Sequence, residues 1–141
     1  MPADPAGAVL SHPVFGKTFT DHMAVATWTA GLGWHDAKVT AYGPLSLYPS
    51  AAVLHYAQEI FEGMKAYRHA DGSVWTFRPE ANAARFARSA RRLALPELPV
   101  AAFSESVRAL VATDAKRVPA GDSGEARLYP RPFVFASEAV R

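Results

Sequence analysis

Residues 54–68 constrain the fold more than any other stretch, because aromatic, acidic, glycine and basic side chains follow one another there without an amphipathic repeat. In the first half of this segment, Tyr56, Ile60 and Gly63 have the spacing of one helical face. Glycine is also the residue that most often follows the last turn of a helix. The segment therefore predicts a short helix that stops at Gly63.

A β-hairpin is predicted directly after this helix. Residues 64–68 alternate in character as a strand does, and residues 74–77 can return beside them. Between the two runs, Asp71-Gly72 supplies the positive backbone angle that a tight turn requires. The centre of the chain is therefore expected to form a helical turn, a strand, a turn and a second strand.

Further strands and two longer helices are predicted around this centre. Residues 25–29 and 37–42 alternate on either side of a glycine-rich turn, which indicates another hairpin. Pro79 suits the first turn of a helix with opposite apolar and arginine-rich faces. A second apolar stripe runs through 103–111, and residues 128–137 are typical of a last strand. Hairpins followed by two helices predict an α+β domain with a mostly antiparallel sheet.

The composition fits one soluble domain and excludes several classes of protein. The 141 residues are 50% hydrophobic and 20% charged, which is ordinary for a globular core, and the net charge of +2 gives no reason to expect nucleic acid. The absence of cysteine excludes disulfides and thiolate metal sites. No apolar run approaches the roughly 20 residues of a membrane helix, and the first residues lack the pattern of a signal peptide. A cytoplasmic protein without a membrane or metal partner is expected.

Four segments carry a resemblance to a known family. In chain order they are FGKTFTDHM (15–23), LHYAQEIFEGMKAYR (54–68), FRPEANAARFARSARRLALPELP (77–99) and LYPRPF (128–133). Together they resemble the branched-chain amino-acid aminotransferases, which are pyridoxal-phosphate enzymes of fold type IV. The resemblance spans nearly the whole chain, and its strength lies in the combination of the four segments.

The resemblance implies a division of the chain and a second domain outside it. Residues 1–14 are expected to form an N-terminal arm, and residues 15–141 the small N-terminal domain of such an enzyme. The family's Schiff-base lysine belongs to the second domain, and no lysine of this chain lies in a matching context. The lysines are Lys17, Lys38, Lys65 and Lys116. The chain is therefore expected to be a truncated part, inactive by itself, of a homodimeric enzyme that uses pyridoxal 5′-phosphate.

Arg85 is the candidate ligand of the cofactor's phosphate. Taken by composition alone, the arginines at 85, 88, 91 and 92 form a solvated helical face. The resemblance singles out Arg85, because the family binds the phosphate through an arginine seven residues after that of the FRP motif. A guanidinium suits this task, since it stays protonated and donates paired hydrogen bonds to a phosphate.

Tyr129 and Arg131 are candidates for substrate recognition. Two residues apart on a strand, their side chains leave the same face about 7 Å apart. Without the family, a tyrosine packed on the sheet and an arginine reaching solvent would explain them. The resemblance implies a pair that recognises substrate carboxylates, including the distal one of glutamate or 2-oxoglutarate. Pro130 departs from the family's aliphatic residue, and with Pro132 it confines the segment to an edge strand or a bulge.

Three aromatic residues complete the predicted substrate pocket. Phe15, Tyr56 and Phe61 match pocket positions of the family, and Tyr56 matches one that reaches across a dimer interface. Such a pocket suits leucine, isoleucine and valine, since burial of one of these side chains contributes roughly 1.5 to 3 kcal/mol. Packing in the core is the alternative for Tyr56 and Phe61. No role follows for Glu62.

The resemblance implies that the complete enzyme moves amino groups between branched-chain amino acids and 2-oxoglutarate. Three alternatives remain open. The first is another fold type IV enzyme, such as a D-amino-acid transaminase or an aminodeoxychorismate lyase. The second is a non-catalytic binding or regulatory module that keeps the fold. The third is a polyanion binder that uses the arginine face of residues 85–92, for which binding would depend steeply on salt.

Overall fold

A computed structural model describes the protein over Val14, residues 16–120 and residues 127–139. Its fold is α+β, which confirms the predicted class. The two predicted helices are present, and a third of five residues precedes them. Within the described ranges, no helix is long and apolar enough to cross a membrane. The elements in chain order are β1 (His22–Thr29), β2 (Gly33–Ala41), α1 (Ala52–Tyr56), β3 (Glu59–Phe61), β4 (Ala66–Arg68), β5 (Val74–Thr76), α2 (Pro79–Arg92), α3 (Val100–Thr113), a 3-10 helix (Ala115–Arg117) and β6 (Phe133–Phe135).

The strands of the described ranges pair antiparallel in three two-stranded sheets, where a single sheet was predicted: β1 with β2, β3 with β6, and β4 with β5. The β1–β2 hairpin turns through Gly31 and Gly33, whose φ angles of 83° and 79° cost glycine little. The β4–β5 hairpin turns at Gly72, where φ is 85°. The hairpin predicted from Asp71-Gly72 is therefore confirmed.

The last described segment runs antiparallel to the centre of the chain in one register. Glu59 pairs with Phe135 at one end of this stretch. Ala66 forms an isolated bridge with Leu128 at the other end, in the same register. The strand predicted over residues 128–137 is nevertheless reduced to β6. Between these two ends, the central segment donates hydrogen bonds to the last segment but receives none from it.

Two prolines cause this one-sided pairing. The N–H groups of Glu62 and Met64 donate to the carbonyls of Pro132 and Pro130 at 2.8 and 3.2 Å. The reciprocal bonds cannot form, because proline has no N–H to donate. The prolines thus interrupt the ladder between β3 and β4 and keep their own segment at a sheet edge, as the sequence predicted.

The central segment is extended where a helix was predicted. α1 ends at Tyr56, and Ala57 follows it in the left-handed conformation with φ of 49°. Ile60 is buried as part of β3 and does not share a helical face with Tyr56. The prediction of a helix up to Gly63 is therefore wrong. Pairing with the last described segment requires an extended backbone here, and local spacing does not reveal such a distant partner.

The core lies between α2, α3 and the central strands. Phe86 of α2 and Phe103 of α3 meet with ring centroids 5.3 Å apart, and both are almost fully buried. The remaining buried members of the cluster are smaller: Ile60, Met64, Ala66, Ala83, Ala90, Leu95, Val107 and Val111. Because side chains alternate along an extended segment, every second residue from Ile60 to Ala66 faces this core.

An ion pair and a pair of hydrogen bonds attach the β1–β2 hairpin to the region after α3. Arg117 donates to both carboxylate oxygens of Asp21, at 2.9 and 2.7 Å. Asp114 accepts the backbone N–H of His22 at 3.1 Å, and its other oxygen lies 2.6 Å from Nδ1 of the His22 ring. Asp21 and His22 therefore fix the hairpin against the end of α3.

Candidate functional site

The predicted site residues fall on the two faces of the central segment. Ile60 and Glu62 point into the domain and are buried, whereas the Phe61 side chain between them is 57% exposed. Consecutive side chains of a strand point to opposite faces. One group of site residues therefore gathers around Phe61 on the outward face, and another around Glu62 on the inward face.

The outward group consists of Phe61, Tyr129 and Arg131. The Arg131 guanidinium carbon lies 4.7 Å from the Phe61 ring centroid and 5.2 Å from that of Tyr129. Both distances are those of cation–π contacts. Arg131 is exposed, and none of the described acidic residues pairs with it. Two aromatic rings therefore hold a cation whose charge no described carboxylate neutralises.

Gly63 makes room for Tyr129 in this group. A Cβ atom added to Gly63 would lie 1.9 Å from the Tyr129 hydroxyl oxygen and 2.7 Å from the ring carbon that carries it. The phenol therefore crosses the backbone where a side chain is absent. The sequence predicted Gly63 as a helix stop, but its observed function is to admit this ring.

We expect Gly63→Ala to destabilise the domain by about 1 kcal/mol, the low end of the usual cost of overpacking, because the clashing atoms are the end of the half-buried Tyr129 side chain. The new methyl group has to push the Tyr129 ring aside, which also moves it from Arg131. Urea unfolding measures the loss. The matched control is Gly43→Ala, because a Cβ at Gly43 has no neighbour within 4 Å. Equal stability of the two variants would show that the position of the Tyr129 ring does not require the missing side chain at Gly63.

The inward group joins Glu62 to two residues of α2. Arg85 donates from Nε to one Glu62 oxygen at 2.5 Å and from Nη2 to the other at 2.6 Å. Asn82 donates from Nδ2 to Glu62 at 2.9 Å and to the carbonyl of Gly63 at 3.3 Å. Asn82 and Arg85 stand three residues apart on one helical face, so both reach the same carboxylate.

The charge of Glu62 is stabilised by this arrangement. Its side chain is only 4% exposed, and a buried carboxylate without partners would take up a proton. The hydrogen bonds from Arg85, assisted by that from Asn82, hold the pKa of Glu62 below its ordinary value, although burial opposes them. The same ion pair raises the pKa of Arg85. Glu62 is thus an ionised acid inside the domain.

Arg85 keeps one edge free for a further anion. A guanidinium has five N–H groups arranged in two forks. Glu62 accepts from Nε and from one N–H of Nη2, while Nη1 and the second N–H of Nη2, which form the other fork, make no bond to a described residue. The Arg85 side chain is 59% exposed. Its free fork has the donor geometry that a phosphate group requires, so the residue fits the predicted contact with pyridoxal 5′-phosphate.

The remaining pocket predictions have different outcomes. Phe15 lies outside the described residues. Tyr56 is 70% exposed, and its ring centroid lies 6.3 Å from that of His55. Among the residues described, it has no ring contact with Phe61. Core packing is therefore the wrong explanation for both Tyr56 and Phe61. Their place in a substrate pocket stays a prediction.

The arginine face of α2 is partly neutralised. Arg91 donates from Nε and Nη2 to the two oxygens of Glu97, each at 2.8 Å, and Arg85 is paired with Glu62. Two of the four arginines on this face therefore carry their own counter-charge. A polyanion would meet less positive charge here than composition suggests, which weakens that alternative.

Sequence reasoning missed Glu62, Asn82 and Gly63. A helical wheel groups Asn82 with the apolar face of α2, apart from Arg85, although residues three apart on a helix can serve one partner. Nothing in the local sequence identified that partner as Glu62. The burial of Glu62 depends on the register between the central segment and residues 128–135. Pro130 and Pro132 make that second segment unlike a regular strand, so its pairing is hard to predict from sequence.

In this small α+β domain, Arg85 of the inward group has a free donor edge, and Arg131 of the outward group lies against two aromatic rings. Sequence comparison shows which known proteins the chain is similar to. No family model matches the chain. It is 61% identical over 131 residues to a probable branched-chain-amino-acid aminotransferase of Streptomyces coelicolor, covering 93% of this chain and 36% of that protein. It is 60% identical over 131 residues to the branched-chain-amino-acid aminotransferase of Mycolicibacterium smegmatis, covering 93% of this chain and 35% of that protein. A probable enzyme of the same name from Staphylococcus aureus is 45% identical over 126 residues, or 89% of this chain and 34% of that protein.

Solved structures agree on the fold. The branched-chain amino acid aminotransferase of Escherichia coli matches with a TM-score of 0.58 at 19% identity, over 72% of this chain and 31% of that one. The enzyme of the same name from Thermobaculum terrenum, solved in its pyridoxal-phosphate form, matches with a TM-score of 0.50 at 19% identity, over 74% of this chain and 38% of that one. The chain is therefore similar in sequence to branched-chain-amino-acid aminotransferases, as its four segments predicted, and it spans about a third of the length of the curated relatives it matches.

Proposed function

We propose that the protein containing this chain transfers amino groups between branched-chain amino acids and 2-oxoglutarate. The observation that carries this proposal is the identity of 60 to 61% with aminotransferases of that name over 93% of the chain. This stretch includes the residues of both the inward and the outward group. In this proposal the chain supplies the grip on the cofactor's phosphate and one wall of the substrate pocket.

Arg85 is proposed to bind the phosphate of pyridoxal 5′-phosphate. When bound, this cofactor stores the electrons released at the substrate's α-carbon. The free fork of Arg85 can donate two parallel hydrogen bonds to phosphate oxygens, and its charge persists at any working pH. A phosphate contact that does not change during the reaction would hold the cofactor while substrates exchange.

Arg131 and Tyr129 are proposed to recognise substrate carboxylates. The enzyme has to accept a dicarboxylate and an aliphatic amino acid in the same pocket. Arg131 is exposed and held on two ring faces, so it can pair with a distal carboxylate and remain hydrated when an aliphatic side chain is bound. Phe61, together with Phe15 and Tyr56, is proposed to supply apolar contacts for leucine, isoleucine and valine.

The lysine that holds the cofactor and moves the substrate proton is proposed to lie outside this chain. All four lysines present are exposed, and none contacts a residue of either group through a hydrogen bond or ion pair among the residues described. We accordingly propose that the chain alone is inactive and that the complete enzyme is a homodimer, with Tyr56 facing the partner. A chain without cysteine suits a reducing cytoplasm, where we place it.

Expression of the complete reading frame around this chain tests the proposal. We expect glutamate to form from 2-oxoglutarate with leucine, isoleucine or valine as donor, and the rate to depend on added pyridoxal 5′-phosphate. D-alanine is the control donor. Transfer from D-alanine alone would favour another fold type IV enzyme. Cofactor binding without transfer from any donor would favour a non-catalytic module.

A further inference from the structure

We propose that Glu62 is a positioning residue that, together with Asn82, fixes the Arg85 guanidinium so that its free fork is set for a phosphate group. This inference rests on the proposed function, because it assumes that Arg85 meets the cofactor's phosphate. It assigns a function to a buried acid that sequence reasoning left without one. Glu62 itself does not touch the ligand, and acts only through Arg85.

The carboxylate is held firmly enough to orient another group. Glu62 accepts three hydrogen bonds, two from Arg85 and one from Asn82. Its own backbone N–H donates to the Pro132 carbonyl at 2.8 Å, which fixes the main chain. The side chain is almost completely buried. Both ends of this residue are therefore anchored, and its oxygens define the plane in which Arg85 lies.

A fixed guanidinium matters because arginine is a long and otherwise mobile side chain. An exposed arginine has to lose rotamer freedom when it binds a ligand, and that loss weakens binding. Here Glu62 orders the Nε and Nη2 fork before any ligand arrives, and the opposite fork is ordered with it. The same carboxylate also places a negative charge near the site, which opposes a phosphate dianion. Positioning and charge therefore act in opposite directions on phosphate binding.

The Arg91–Glu97 pair provides a comparison on the same helix. It has the same two-bond geometry, with both distances 2.8 Å. Glu97, however, is 40% exposed, and Asn82, the single asparagine of the sequence, bonds to Glu62 and Gly63 instead. This pair is a surface ion pair, and such pairs order their side chains weakly.

The opposed effects make Glu62→Gln a decisive variant. The glutamine amide turns one acceptor into a donor that faces the N–H groups of Arg85 and Asn82, so the fork keeps one hydrogen bond at most where it had two. The variant also removes the negative charge. The complete protein is titrated with pyridoxal 5′-phosphate and with pyridoxal, which lacks the phosphate, and the ratio of the two affinities is the readout. We expect this preference for the phosphorylated ligand to fall by about threefold to tenfold, the cost of ordering one long side chain on binding.

Three further variants complete the test. Glu97→Gln is the matched control and is expected to leave the ratio unchanged. Asn82→Ala keeps the carboxylate and Arg85 and removes the third bond, so it is expected to lower the ratio by less than Glu62→Gln. It also provides a test if Glu62→Gln does not fold. Arg85→Ala is expected to lower the ratio more than either of these variants, because it removes the phosphate contact itself.

The outcomes separate the inference from the proposed function. A higher preference for the phosphorylated ligand in Glu62→Gln would mean that charge outweighs positioning, and would overturn the inference. If Glu62→Gln lowers the affinity for both ligands equally, Glu62 only supports the fold, and the inference is overturned as well. If Arg85→Ala lowers the ratio but Glu62→Gln and Asn82→Ala leave it unchanged, the inference is overturned and the proposed phosphate contact stands. An unchanged ratio in Arg85→Ala would overturn the proposed phosphate contact and the inference with it.

Discussion

In the complete protein, Arg131→Ala is expected to slow the glutamate half-reaction far more than the leucine half-reaction. Removal of one partner of a desolvated charge pair costs about 2 to 5 kcal/mol. Only the dicarboxylate presents a distal charge for Arg131 to pair with, whereas leucine loses at most a contact with the arginine's aliphatic stem. The Phe61 and Tyr129 rings stay in place to contact the aliphatic side chain.

Single-turnover rates with leucine and with glutamate measure this difference as a loss of transition-state stabilisation for each substrate. Arg127→Ala is the matched control, because Arg127 also stacks on a tyrosine, with 5.2 Å between its guanidinium carbon and the Tyr67 ring. It is expected to affect both substrates alike. Equal losses for the two substrates in Arg131→Ala would mean that Arg131 binds the shared α-carboxylate or only supports the strand.

Arg85→Ala is expected to weaken the binding of pyridoxal 5′-phosphate by about tenfold to a hundredfold, the value of hydrogen bonds to a charged group. Because the phosphate contact is present throughout the reaction, both half-reactions are expected to slow together when cofactor is limiting. Arg131→Ala is expected to leave cofactor binding unchanged. Titration of both variants with the cofactor measures the contrast. An unchanged cofactor affinity in Arg85→Ala would mean that Arg85 is only a solvated surface residue.

The same variant has a second consequence through pH. In the folded protein the pKa of Glu62 is lowered, chiefly by Arg85, so its carboxylate adds stability that is present above its ordinary pKa and lost as pH falls through the lowered one. Without Arg85 the main cause of the lowered pKa is gone, while burial still opposes ionisation of Glu62. Arg85→Ala should therefore lose most stability near neutral pH, where Glu62 is ionised, and its deficit relative to the unchanged protein should shrink as pH falls; urea unfolding at several pH values, followed by circular dichroism, measures this. Arg91→Ala is the control on the same helix, because its partner Glu97 is partly exposed.

The elements that the sequence predicted correctly are those with a local cause. Asp71-Gly72 determines its hairpin by turn chemistry, and Pro79 starts α2 because proline suits the first helical turn. The one-sided pairing of Pro130 and Pro132 also follows from a local property, the missing N–H. In each case a residue type limits its own backbone.

The features that the sequence did not predict depend on distant partners. Residues 59–66 are extended because they pair with a segment about 70 residues further along the chain. That pairing turns Glu62 towards α2 and brings Tyr129 across Gly63. Neither contact has a signature in the spacing of neighbouring residues. The family resemblance identified the arginines, but the acid that holds Arg85 became visible only in three dimensions.

The most direct test of the account is a crystal structure of the complete protein with pyridoxal 5′-phosphate and 2-oxoglutarate bound. We expect Nη1 and Nη2 of Arg85 to lie about 2.9 Å from oxygens of the cofactor's phosphate, with Glu62 still bound to Nε and Nη2. Arg131 should meet the distal carboxylate of 2-oxoglutarate. A phosphate held by other residues, with the Arg85 fork open to solvent, would contradict the account.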